Sequence, residues 1–117
     1  MPILHKVYEL YKLFYGYAKY FSKKDRYTLG QRCENLILDI LELIFLALTA
    51  NPNEKLNILK RISAKLNVLR IFIRLLKDIK VFDLKTYIII QKEINDIGVM
   101  LGYWIKRLTK KEPKSSF

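Results

Sequence analysis

With 117 residues and one cysteine, Cys33, the chain is the size of one domain and has no intrachain disulfide framework. It is 51% hydrophobic and 28% charged, which excludes wholesale disorder, and its 4 glycines and 3 prolines speak against a turn-rich β fold. The formal charge of +11, from 22 Lys and Arg against 11 Asp and Glu, points to a polyanionic partner.

The opening residues, Met1-Pro2-Ile3-Leu4-His5-Lys6, lack the layout of a secretory signal peptide. The most apolar stretch, residues 36–50, is broken by Asp39 and Glu42 and falls short of the roughly 20 apolar residues of a spanning helix. A cytoplasmic protein without membrane partners is expected.

Three breaks leave four segments, near 3–21, 25–50, 53–80 and 83–109. At the first break Ser22 and Asp25 approximate a capping box. At the second, Asn51-Pro52-Asn53 ends one helix, and Asn53 is expected to cap the next. At the third, Lys80-Val81-Phe82 precedes Asp83 as N-cap. Residues 110–117 read as a flexible basic tail.

Apolar residues recur in steps of three and four in every segment. The first offers Leu4, Val7, Tyr11, Phe14, Ala18 and Phe21; the second offers Leu29, Cys33, Leu36, Ile40, Leu43 and Ala47. The third offers Leu59, Ile62, Leu66, Leu69, Ile73 and Leu76. The fourth runs Leu84, Ile88, Gln91, Ile94, Gly98, Leu101, Ile105, Leu108. Short connections between segments of similar length predict an all-α, up-down antiparallel four-helix bundle with left-handed packing.

The third segment carries a second apolar stripe, Val68, Phe72, Leu75 and Ile79, and the second carries Ile37, Leu41, Ile44 and Leu48. Tyr8, Tyr15, Tyr17 and Tyr20 lie outside the main stripe of the first. Left exposed together, these exceed the patch a monomer normally shows, so self-association is expected. A wide core in a compact bundle is the competing reading.

Charge is uneven. Residues 51–82 hold eight basic groups against two acidic, net +6, whereas residues 28–50 are net −2. At 100° per residue Lys60, Arg70, Arg74 and Lys77 fall on one strip with Ser63 and Asn67. Arg70 and Arg74, one turn apart, can address successive phosphates with forked donors; a solvated helix face is the alternative. Arg26 in the first turn of the second segment and Lys106-Arg107 in the fourth extend the candidate nucleic-acid surface, with Lys110 and Lys111 beyond. Tyr27 beside Arg26 suits an oligomer interface. Gly98 and Gly102, one helical turn apart, and Gly30 are candidates for close helix packing, because mid-helix glycine costs about 1 kcal/mol that a close approach can offset.

No phosphate loop, nucleophile motif or metal-spaced His/Cys cluster is present, so neither catalysis nor a cofactor nor a small-molecule substrate is expected. The carboxylate pairs Glu93/Asp96 and Asp39/Glu42 lack a histidine partner and read as ion-pairing residues rather than a metal site. Cys33 reads as an inert core residue, His5 as an exposed side chain, and Trp104 with the first-segment tyrosines as packing residues that could also stack on bases.

Three strings go beyond composition: Arg26-Tyr27-Thr28-Leu29-Gly30-Gln31-Arg32, Leu69-Arg70-Ile71-Phe72-Ile73-Arg74-Leu75-Leu76-Lys77, and Ile97-Gly98-Val99-Met100-Leu101-Gly102-Tyr103-Trp104-Ile105-Lys106. In this order and spacing the chain resembles, over residues 3–109, the Avd (accessory variability determinant) family of diversity-generating retroelements. That family is akin to the four-helix proteins encoded in 23S rRNA intervening sequences. Cys33 and Tyr103 depart from the family pattern, both at positions expected to pack.

The resemblance implies a ring-shaped homo-oligomer, typically a pentamer, that catalyses nothing. Its partners would be a reverse transcriptase and the template RNA or its cDNA, and its role would be to support mutagenic reverse transcription. An oligomeric adaptor of the intervening-sequence type, binding rRNA or an acidic protein, is the alternative. An interfacial membrane binder using the first segment's aromatics and lysines ranks last.

Overall fold

Every element of the computed structural model is helical among the described residues, 1–111 of the chain. Helix α1 spans Pro2–Ala18 and α2 is the short Lys23–Asp25, which continues through a π-helical turn, Arg26–Gly30, into α3, Gln31–Thr49. Helices α4, Pro52–Asp78, and α5, Leu84–Lys111, complete the chain. Helix α1 packs on α3 and α5, and α4 packs on the same two, giving an up-down four-helix bundle. It measures 57 × 23 × 20 Å.

The connections follow local side-chain chemistry. Ser22 Oγ accepts from the Asp25 amide at 3.2 Å and donates to Asp25 Oδ2 at 2.9 Å, a reciprocal cap. Asn51, and not Asn53, caps α4: its Oδ1 accepts from the Glu54 amide at 3.0 Å. Pro52 explains the shift, because its fixed φ and missing N–H suit the first helical position. Asp83 Oδ1 accepts from the Thr86 amide at 2.8 Å and opens α5. Lys110 and Lys111, expected in the tail, belong to α5, and the remainder of the tail lies outside the described residues.

The core is wholly apolar among the described residues. All of Leu59, Ile62, Leu66, Leu69, Ile73 and Leu76 are buried on α4. The stripes of α1 and α5 overlap the predicted ones, with Val7, Phe14, Ala18, Ile94 and Leu101 buried as expected, but are centred differently. Helix α1 buries Ile3, Val7, Leu10, Phe14 and Ala18, with Leu4 and Tyr11 at the margin. Helix α5 buries Ile90, Ile94, Ile97, Leu101 and Trp104, leaving Leu84 and Ile88 in solvent. Ile37 and Ile44 of the proposed second stripe on α3 are core residues, so part of that stripe belongs to a wide core. Of that stripe Leu48 is exposed and Leu41 half-buried, and α3 also exposes Leu38, Phe45 and Leu46. Tyr103 is not a packing residue either, being 61% exposed.

Candidate nucleic-acid interface

The antiparallel crossing of α4 and α5 positions the cationic strip. Gln91 Nε2 donates to the Arg70 carbonyl at 3.2 Å, Arg70 Nε donates to Asn95 Oδ1 at 3.3 Å, and Arg70 Nη1 donates to Asn67 Oδ1. A Cβ built on Gly98 would stand 2.5 Å from Arg70 Nη2 and 3.7 Å from Leu66 Cδ2. The glycine therefore makes room for a guanidinium across the groove rather than for the backbone of α4.

Gly102, expected to pack in the same way, has no neighbouring atom within 4 Å of a built Cβ and opens onto solvent. Its groove is lined by Ser63, Leu66, Arg70, Gly98 and Val99. Gly30 is buried; a Cβ there would lie 3.0 Å from the Asp25 carbonyl oxygen and 3.1 Å from the Phe21 ring.

The four α4 cations do not share one environment. Arg70 is half-buried and engaged by two asparagines. Lys77 lies 4.7 Å from the centroid of the Tyr87 ring and 3.6 Å from Asp78. Arg74 projects into water, with Asp78 one turn away at 4.0 Å, a weak exposed pair. Lys60 is exposed and has no carboxylate within ion-pair distance among the described residues. The register that pairs Arg70 with Asn95 and Lys77 with Tyr87 carries on along the groove to set Lys60 level with Lys106. Lys106 and Arg107 are exposed, but Arg107 turns toward the α1 side, lining a cleft with Met1, Pro2 and Trp104. Arg26 is exposed in the π-helical turn at the far end of the bundle.

The acidic groups explain why this face stays positive. Glu93 and Asp96 point to α1, where Lys6 Nζ reaches them at 3.0 and 3.2 Å. Hydrogen bonding from Lys6 and then Lys92 lowers the Asp96 pKa, and the Glu93 contact chiefly raises that of Lys6. Asp39 is bound by Lys65 at 3.4 Å on the α3 side. Glu93, Asp96 and Asp39 thus sit in ion pairs, and the described residues hold no group of three or more His, Cys, Asp or Glu side chains placed to bind a metal ion. Cys33 is fully buried; desolvation pushes its thiol up to about 12.

An apolar face adjoins the cations. Val68, Leu75 and Ile79 are exposed, joined by Ile71, which the periodicity did not single out, at 64% exposure. Phe72 is half-buried under the Arg32 guanidinium, 5.5 Å from its ring centroid. Tyr27, Phe72 and Leu75 meet in one groove with Thr28 and Arg32. A second exposed apolar patch, Leu38, Phe45 and Leu46 with Leu4, lies between α3 and α1.

Asn95, the lysine that claims Glu93 and Asp96, and the α3 patch escaped the sequence reading, which placed Asn67 on the strip but not its bond to Arg70. A stricter alignment of α4 against α5 from their short connection would have brought Asn95 to Arg70. Among the described residues no helix is long and apolar enough to cross a membrane. The family model described as bAvd-like matches residues 1–108. No curated protein matches the chain.

Proposed function

The chain belongs to the bAvd-like family, and on that footing we propose that it is a non-enzymatic accessory protein of a diversity-generating retroelement. In this reading it binds template RNA or its cDNA, and the partner reverse transcriptase, through the basic α4–α5 face. It thereby supports mutagenic reverse transcription in the cytoplasm. The observation that carries the reading is the cationic groove itself. Arg70 is held in place by Asn67 and Asn95, Arg74 and Lys60 flank it in solvent, and Glu93 and Asp96 are drawn away to Lys6, while Asp78 stays beside Arg74 and Lys77 in a weak exposed contact. A guanidinium fixed before binding loses less freedom on meeting a phosphate.

A homo-oligomeric ring, five-membered as in the family pattern, is supported by the two different apolar faces. Ring closure needs a head-to-tail contact between unlike surfaces. Val68, Ile71 and Leu75 on α4 and Leu38, Phe45 and Leu46 on α3 supply such a pair.

Binding of a structured template RNA measured against salt tests the reading. Wild type should lose affinity steeply as salt rises. The Lys60→Ala/Arg74→Ala double variant should flatten the log–log slope by about 1.5, near the value for two phosphate contacts. Salt-independent binding, or an unaltered slope in the variant, refutes it. Preference for ribosomal RNA with indifference to a reverse transcriptase would favour the intervening-sequence type of adaptor.

A further inference from the structure

A cleft of about 740 Å³ lies away from the α4–α5 groove, at the end where α1 stops and α4 turns into α5. Its floor is aromatic: the Phe82 ring packs 5.4 Å from that of Phe21 and 6.0 Å from that of Tyr17, centroid to centroid, at steep angles. At its rim stands Tyr20, 81% exposed, with Lys19 Nζ 5.4 Å from the ring centroid. A large ring this far into water gains nothing from packing.

Lys80 lines the same cleft in an unusual backbone state. Helix α4 ends with Val81 N–H donating to the Leu76 carbonyl at 2.9 Å and Lys80 N–H to the Lys77 carbonyl at 3.0 Å, a Schellman arrangement. That motif sets the residue at Lys80 in the left-handed region, φ 67°, where glycine is the unstrained choice. A lysine here carries strain that its side chain does not recover through any ion pair among the described residues. The acids on the cleft wall are engaged: Asp83 accepts from the Thr86 amide, and Asp78 is shared by Arg74 and Lys77. The two lysines and two aspartates of the lining balance in formal charge, but Lys77 is paired with Asp78, so Lys80 is the cation of the lining that has no ion-pair partner among the described residues.

We propose that this end cleft is a binding site for single-stranded RNA, in which an unpaired base stacks on Tyr20 and a flanking phosphate meets Lys80. Aromatic rings beside lysines are the general means of holding bases that have left a duplex, and every base offers a π-face. The proposal rests on the RNA-binding reading above and assigns to the protein a second contact that recognises unpaired nucleotides. The α4–α5 groove needs only phosphates, whether paired or not.

The test compares a short oligouridine strand with a blunt RNA duplex, by fluorescence anisotropy on the full chain. Tyr20→Ala should weaken oligouridine binding about 5- to 100-fold and leave the duplex unchanged, while Tyr20→Phe retains wild-type affinity. Lys80→Gly should raise Tm by relieving the backbone, yet reduce the salt slope for oligouridine by about 0.7. Gain in Tm with loss of binding separates a ligand contact from a structural role.

Unchanged oligouridine binding in Tyr20→Ala, or equal losses on strand and duplex, overturns the proposal while the broader reading stands. Loss in Lys80→Gly alone also overturns it, since no base is then stacked. If wild type binds neither probe, the RNA-binding reading itself fails.

Discussion

The guanidinium of Arg70 occupies the space that a side chain on Gly98 would need: a Cβ there would stand 2.5 Å from Arg70 Nη2. One glycine thus lets an arginine of α4 lie across α5 and reach Asn95. The flexible end of Arg70 can move aside, so Gly98→Ala should change stability by less than about 1 kcal/mol, its helix-propensity gain offset by the lost Arg70 contacts. Its effect should fall on RNA binding. Gly102→Ala meets nothing within 4 Å and should stabilise the chain by about 1 kcal/mol. Urea denaturation of the two variants side by side checks both.

If the chain forms the proposed ring, Ile71→Asp should convert it to monomer with little change in helicity, because the side chain is 64% exposed and contributes little to the core. Light scattering coupled to size exclusion, with circular dichroism on the same fractions, reads both quantities. A variant with wild-type mass would remove α4's apolar face from the assembly.

The phase of each stripe shows what can be read without coordinates. On α4 the six predicted core residues are all buried: the neighbouring phase of Val68, Phe72 and Leu75 meets Lys65 and Arg61 when traced back, so one apolar stripe alone runs the length of the helix. On α5, Ile88-Ile89-Ile90 offers three adjacent phases, and only Ile90 is buried. The pairs Ile3-Leu4 and Leu10-Tyr11 pose the same ambiguity on α1, and the bundle takes the first of each. The cationic residue types were legible, but the state of Arg70 was not. Whether that arginine is free or tethered depends on Asn95, 25 positions away and across a helix interface.

Stability should fall in acid through Asp96 and Asp83. Both have pKa values below the ordinary 3.8, Asp96 through Lys6 and Asp83 through the Thr86 amide. A lowered folded-state value means stabilisation that is present above 3.8 and lost as pH falls through the folded value. Lys6 acts in the opposite sense: its raised value gives stabilisation present below 10.5 and lost as pH climbs beyond it. Thermal midpoints recorded from neutral pH downward should show a shallower acid decline in Asp96→Asn than in wild type.

Cys33 should resist maleimide at neutral pH in the native state. It is wholly buried and its thiol is pushed up to about 12, so thiolate is scarce as well as inaccessible. Labelling followed along a denaturant series should track global unfolding; rapid modification of the native protein would contradict the packing of α3.

The bundle's interior holds no polar group among the described residues, and this has a cost in uniqueness. An apolar core discriminates less sharply between offsets of its helices than one with a buried polar pair, since apolar groups of similar volume can replace one another. Vertical alignment must then come from outside: from Lys6 clasping Glu93 and Asp96, from Lys65 on Asp39, and from Arg70 on Asn95. Cutting these external clasps together would leave a chain still helical and still collapsed, but populating several offsets between its rods. In such a mixture no continuous track of cations would survive on any one side.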